Sequence, residues 1–156
     1  MSNTAARVMI AGDGEGIVQI CRHYNCGVEI QYFLDPARVE VHKKVLGDLV
    51  PRALHGPFGD LCAGSYDPKI REVTRDRFEL ACQFARELDS PDIILHHGYV
   101  PKTSPPKNWL MRCSELWIDF LKGKEPSLRF HIENMLEWDA GLLSEVIDAE
   151  SMRIFV

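Results

Sequence analysis

Residues 91–99 read PDIILHHGY. The apolar run is short, opens on a proline and closes on two histidines and a glycine. That length and punctuation predict a buried strand over Pro91–His96 rather than a helix. The strand ends in a side chain that can hold a metal. Its neighbours in sequence are built alike: Arg52–His55 (RALH) ends in His55, and Leu128–Glu133 (LRFHIE) ends in Glu133.

Moving outward, short apolar runs alternate with longer helical stretches, the pattern of β/α units and a mostly parallel sheet. Strands are expected at Arg7–Ile10, Gly27–Gln31 and Met152–Val156 besides these three. Helices are expected over Ile17–Tyr24, from Asp35-Pro36 to Val50, from Asp67-Pro68 to Leu88, over Asn108–Leu121 and over Ala140–Ile147. Asp-Pro suits the cap and first turn of a helix. Val39, Val45, Leu46 and Leu49 form the buried stripe of the second helix. Ile70, Val73, Phe78, Ala81, Cys82 and Ala85 form that of the third. Strand spacings of roughly 20 to 40 residues suit βα units, and a doubly wound sheet fits the same alternation.

The polar residues tip the choice toward a barrel. In a parallel α/β barrel, active sites gather at the C-terminal ends of the strands. His55, His96 and Glu133 each close an apolar run there, and two imidazoles with one carboxylate make a divalent-metal set that polarises a carbonyl or activates water. Against this stands the ordinary reading of a strand-end histidine as a satisfied polar residue. Glu29 alternates with Val28 and Ile30 and so faces away from the helices. It is either part of a substrate site or an inward carboxylate paired with Arg52 or Arg129. His131 shares a face with Glu133 and either orients it or is a buried hydrogen-bonded histidine. His97 points away from His96. GDGEG at 12–16 has neither the GxGxxG spacing nor a P-loop lysine, and reads as a tight turn. The tryptophans Trp109, Trp117 and Trp138 read as helix core or rim.

The totals narrow the function classes. With 156 residues, 46% hydrophobic and 26% charged, the chain supports one globular domain over 1–156. No apolar run is long enough for a membrane span and the N-terminus lacks a signal-peptide build, so a cytoplasmic protein is expected. Five cysteines without a CxxC predict free thiols rather than a zinc ribbon. A net charge of −5 argues against gripping nucleic acid.

The segments that carry the chemistry also carry a resemblance. GVEIQ (27–31), LHGPFGDL (54–61), IILHHGY (93–99) and FHIENM (130–135) resemble successive strand-end motifs of the xylose-isomerase-like TIM barrels, which include sugar-phosphate isomerases and epimerases and the type IV AP endonucleases. SYDPKIREVTRDR (65–77) is similar to the isomerase/epimerase branch. The resemblance implies a (β/α)8-type barrel of which about six strands are present. It implies His55, His96 and Glu133 as metal ligands, with His55 matching the endonuclease branch, and His55 and Asn134 at the substrate. Glu133 and Glu29 would be the acid/base carboxylates. The metal would be manganese, cobalt, magnesium or zinc.

In the family, further ligands follow strand six, past Val156. The expectation is a portion of a longer chain, a truncated product, or a homo-oligomer pairing open barrel edges. The function expected is metal-dependent isomerisation or epimerisation of a small sugar or sugar phosphate. The alternatives are an AP-endonuclease-like phosphodiesterase or a non-catalytic remnant.

Overall fold

The structure, a computed structural model, describes residues 7–10, 15–31, 37–50, 52–137 and 152–155, with side chains described from Gly16 to Glu137 within that set. The strands are β1 (Arg7–Ile10), β2 (Gly27–Gln31), β3 (Arg52–His55), β4 (Asp92–Leu95), β5 (Arg129–Glu133) and β6 (Met152–Phe155). The helices among the described residues are α1 (Glu15–Tyr24), α2 (Ala37–Leu46), α3 (Pro68–Glu87) and α4 (Pro106–Leu121). The glycine-rich turn at 12–14, the Asp35-Pro36 cap, Trp138 and the helix expected over Ala140–Ile147 lie outside the described residues.

All six strands form one sheet in the order β1-β2-β3-β4-β5-β6, and every neighbouring pair is parallel. A doubly wound sheet needs a point where the order reverses. None occurs here. With right-handed crossovers, an unreversed order puts every connecting helix on one face.

Burial agrees. Val28, Ile30, Leu54, Ile93, Leu95, Phe130 and Ile132 alternate along β2–β5 and are buried in one core with Phe78, Ala81, Cys82, Trp117 and Phe120 of the helices. Phe78 stacks on Trp117 at 5.0 Å between ring centroids, and Phe120 closes edge-on against Trp117 and Phe130 at 5.5 and 5.4 Å. Cys21, Cys26, Cys82 and Cys113 are buried free thiols and Cys62 is half-buried. Burial pushes the Cys82 thiol up to about 12, so it behaves as an apolar filler.

The opposite face is polar. Parallel register pairs Glu29 with Ala53, Ala53 with Asp92 and Asp92 with Arg129, while Gln31, His55, Ile94 and His131 make the next row. This is the face that a closed barrel turns inward.

Three expectations change. α2 stops at Leu46, because Gly47 takes φ +54° and Leu49 folds back to donate to the Leu46 carbonyl at 3.0 Å. Leu49 still reaches the core from this turn. α4 begins at Pro106, whose missing N–H costs nothing in a first turn. On α3, Ile70 and Val73 are exposed at 41% and 46%. They sit in its first two turns, beside the 56–66 loop, and Thr74 takes the inward position. Its Oγ1 donates to the Ile70 carbonyl at 2.7 Å and accepts from the Cys62 N–H at 3.0 Å.

Candidate metal centre

His55 is the last residue of β3, His96 follows β4, and Glu133 is the last residue of β5. Leu95 pairs with Ile132, so His96 and Glu133 stand level. His55 pairs with Ile94, two residues behind His96. Side chains from these staggered positions converge. His55 Nε2 lies 3.0 Å from His96 Nε2 and 3.4 Å from Glu133 Oε2, and His96 Nε2 lies 3.5 Å from the same oxygen.

That triangle fits a metal. Bonds of roughly 2.0–2.1 Å at tetrahedral angles separate neighbouring ligand atoms by about 3.3 Å. The chemistry fits too. The Nδ1–H of His55 donates to the Gly56 carbonyl at 2.9 Å, which turns its Nε2 toward the triangle. Burial, then the facing His55, holds His96 below the usual imidazole range, with the Glu133 carboxylate pulling the other way. The net direction favours the neutral imidazole, the form that can hold a metal. Both histidines are about 5% exposed, whereas the Glu133 side chain is 49% exposed. The open side of the site faces the carboxylate.

The remaining candidates divide. Asn134 is half-buried, and its Oδ1 is buried with no hydrogen-bond partner among the described residues. Glu29 is half-buried on the polar face but two residues behind Gln31, the register partner of His55. It is not part of the donor triangle. Neither expected arginine pairs with it. Arg52 donates to the carbonyls of Leu49, Leu88 and Gly47, and Arg129 grips Asp92 through two bonds of 2.8 and 2.6 Å. His131 bonds Asp92 Oδ1 at 2.7 Å, not Glu133. His97 turns the other way, fully buried, and its Nδ1 accepts from Trp117 Nε1 at 2.8 Å. Burial, with His96 beside it, pushes His97 down to about 3.

Sequence reading missed three residues. Phe58 of the loop after β3 stands over the imidazoles, its ring centroid 5.1 Å from that of His55 and 5.2 Å from that of His96. Asp92, which opens β4, is the acceptor that ties β4 to β5. Glu137, nearly buried, accepts from the N–H groups of Met135 and Leu136 at 2.9 and 3.1 Å and so shapes the turn after Glu133. The aromatic in GPFG was the available signal for Phe58.

No family model matches the chain. Over 95 residues it is 26% identical to the uncharacterized protein MJ1311 of Methanocaldococcus jannaschii, a stretch that covers 61% of this chain and 24% of that protein. Among solved structures, the TTHB071 protein of Thermus thermophilus, soaked with ZnCl2, superposes with a TM-score of 0.76 at 22% identity, covering 96% of this chain and 64% of that one. Endonuclease IV of Thermus thermophilus gives 0.64 at 16% identity, covering 95% and 60%. A D-tagatose 3-epimerase-like protein gives 0.62 at 22% identity, covering 82% and 54%. The chain thus spans between half and two thirds of the length of these structures and about a quarter of the curated relative. These likenesses show the fold alone, a parallel α/β arrangement of the TIM-barrel kind.

Proposed function

From the fold that this chain shares with the xylose isomerase-like TIM barrel proteins, we propose a partial barrel domain over residues 1–156 that carries a divalent-metal site and acts on a small sugar by isomerisation or epimerisation. The observation that carries the reading is the donor triangle of His55, His96 and Glu133, with sides of 3.0, 3.4 and 3.5 Å. The names of two structural neighbours, a 3-epimerase-like protein and endonuclease IV, support a choice between sugar and phosphodiester chemistry. The polar face favours the sugar. Arg52 of β3 and Arg129 of β5 are engaged by backbone carbonyls and by Asp92 and are not offered to phosphate.

In this reading His55, His96 and Glu133 hold manganese, cobalt, magnesium or zinc. The bound ion would supply Lewis acidity toward adjacent hydroxyl and carbonyl oxygens. His55 and His96 are the imidazole ligands on the buried side. Glu133, half-exposed, offers its carboxylate to the substrate as well as to the metal and moves the proton next to the carbonyl. Asn134, the residue after Glu133, is assigned to the substrate side by its place at the strand end. Glu29, one row deeper, is the second carboxylate.

The test is metal titration by calorimetry, followed by a sugar panel assayed for aldose–ketose and epimer interconversion with each metal. A site that binds zinc or manganese in the wild type, and at least tenfold more weakly in His96→Ala and Glu133→Gln, is the expected result. A folded chain without affinity for any of these ions leaves only a non-catalytic role. Nicking of an abasic-site duplex, with no sugar turnover, would replace epimerisation by the phosphodiesterase reading.

A further inference from the structure

Beside the donor triangle lies a cavity of about 610 Å³, lined by the loops that follow β3, β4 and β5. That volume falls in the range of about 300–1,000 Å³ typical of small-molecule sites. Phe58 belongs to both: it meets the two imidazoles and it lines the cavity. Met135 lines it two residues after Glu133, and Gly98 and Tyr99 line it just after His96. The cavity and the metal ligands therefore share one mouth of the sheet.

Its lining is apolar and carries no positive charge. Leu61, Ile70, Trp109 and Leu136 join Phe58 and Tyr99, and none of the described lining residues is a lysine or an arginine. Of the nearby cations, Lys102 falls between the lining residues Val100 and Thr103 without lining the cavity itself, and two arginines are engaged elsewhere. Arg71 donates to the carbonyls of Ser65 and Tyr66 at 2.6 and 3.1 Å, and Arg112 donates to the Gly64 carbonyl and to Ser104 Oγ at 2.9 and 2.7 Å. Asp60 and Asp67 contribute negative charge to the lining. A phosphate here would meet two carboxylates and no lining cation, with only neutral hydroxyl and indole donors to hold it. An apolar or aromatic group would bury surface against rings without displacing any ion pair. Ile70 at 41% and Leu136 at 57% exposure are large apolar side chains left open to water on this wall.

We infer that the ligand of this site is an uncharged polyol or sugar bearing an apolar, aromatic-sized substituent: the oxygens go to the donor triangle and the substituent fills the cavity past Phe58. This rests on the metal-site reading for the oxygen end alone. It excludes a sugar phosphate with its phosphate in the cavity.

Three matched probes separate the cases: D-fructose, D-fructose 6-phosphate and 6-O-benzyl-D-fructose, which carry hydrogen, phosphate or benzyl at one position. Binding to the zinc-loaded chain is read from tryptophan fluorescence and by calorimetry. The expected order is benzyl ether at least tenfold tighter than fructose, and phosphate ester weaker than both. Leu136→Asp and Ile70→Asp, each at a partly exposed position, should bring the benzyl ether to within about twofold of fructose and leave zinc affinity unchanged. A phosphate ester that binds tightest overturns the inference. So does a benzyl ether no tighter than fructose. Zinc binding without a benzyl preference removes the inference and keeps the metal site. A benzyl preference in a chain that binds no zinc removes the metal site and the oxygen end, and keeps the cavity as the substituent's site.

Discussion

Arg129 makes two hydrogen bonds to the Asp92 carboxylate and His131 makes a third, at 2.8, 2.6 and 2.7 Å. Burial alone would raise the carboxyl. The bonds from His131 and Arg129 and the arginine charge outweigh it and hold Asp92 well below the usual carboxylate range. A carboxyl depressed in the folded state adds stability that is complete above its unfolded value, near 4, and drains away as pH falls toward the folded value. Asp92→Asn should therefore cost about 2 kcal/mol at neutral pH, the scale of charged hydrogen bonds, discounted because the Arg129 side chain is half-exposed. Its urea midpoint should also vary less than that of the wild type between pH 5 and pH 2. Equal slopes in that window would remove Asp92 as the source. His55, His96 and Glu133 were readable from sequence because each closes an apolar run at the same end of a strand. The Asp92 pairing was not. Alternation puts Glu29, Asp92, Arg129 and His131 on one face, but only the register decides who meets whom, and it sets Arg129 directly beside Asp92.

At the scale of elements, two joints hold the mouth in shape. Asp67 caps α3: its Oδ1 accepts from the Lys69 N–H at 2.8 Å, with Pro68 in the first turn. Both were legible, since Asp-Pro ahead of an apolar periodicity is a start signal with a physical cause. Asp67→Ala should lower stability by about 1 kcal/mol in thermal unfolding. Gly98 makes the second joint. It takes φ +69°, and a Cβ there would run into the Leu61 carbonyl. The close approach lets the Ala63 N–H reach the His97 carbonyl at 2.9 Å and locks the loop after β3 to the loop after β4. Gly98→Ala should cost more than the roughly 1–2 kcal/mol of a left-handed alanine, because the clash is with backbone. Amide exchange at Ala63 should speed up with it. Retained protection at Ala63 would show that the loops are held elsewhere. The exposed Ile70 and Val73 mark where periodicity misled: Thr74 rather than Val73 faces inward, Ile70 lines the cavity, and a repeat cannot reveal what lies opposite.

Across the whole molecule, the three proposed ligands belong to β3, β4 and β5, and one ion between them would tie those strands together at the open mouth of the sheet. The donor set exists as a set only when the strands are aligned and His55 is held by the Gly56 carbonyl. The unfolded chain offers the same groups separately. Binding to the folded state alone stabilises by RT ln(1 + [L]/Kd), which is about 2.7 kcal/mol at a hundredfold excess over Kd. Zinc or manganese at that excess should therefore raise the unfolding midpoint, and a chelator should return it to the starting value. Glu133→Gln should cut the rise to about half or less, with little change to the metal-free midpoint, since the Glu133 side chain is half-exposed and meets, among the described residues, the two imidazoles. His96→Ala is the less clean variant, because it also empties a buried position against Phe58. A metal-induced rise that is undiminished in Glu133→Gln would move the ion away from the triangle, and with it the assignment of the strand ends as the working face of the sheet.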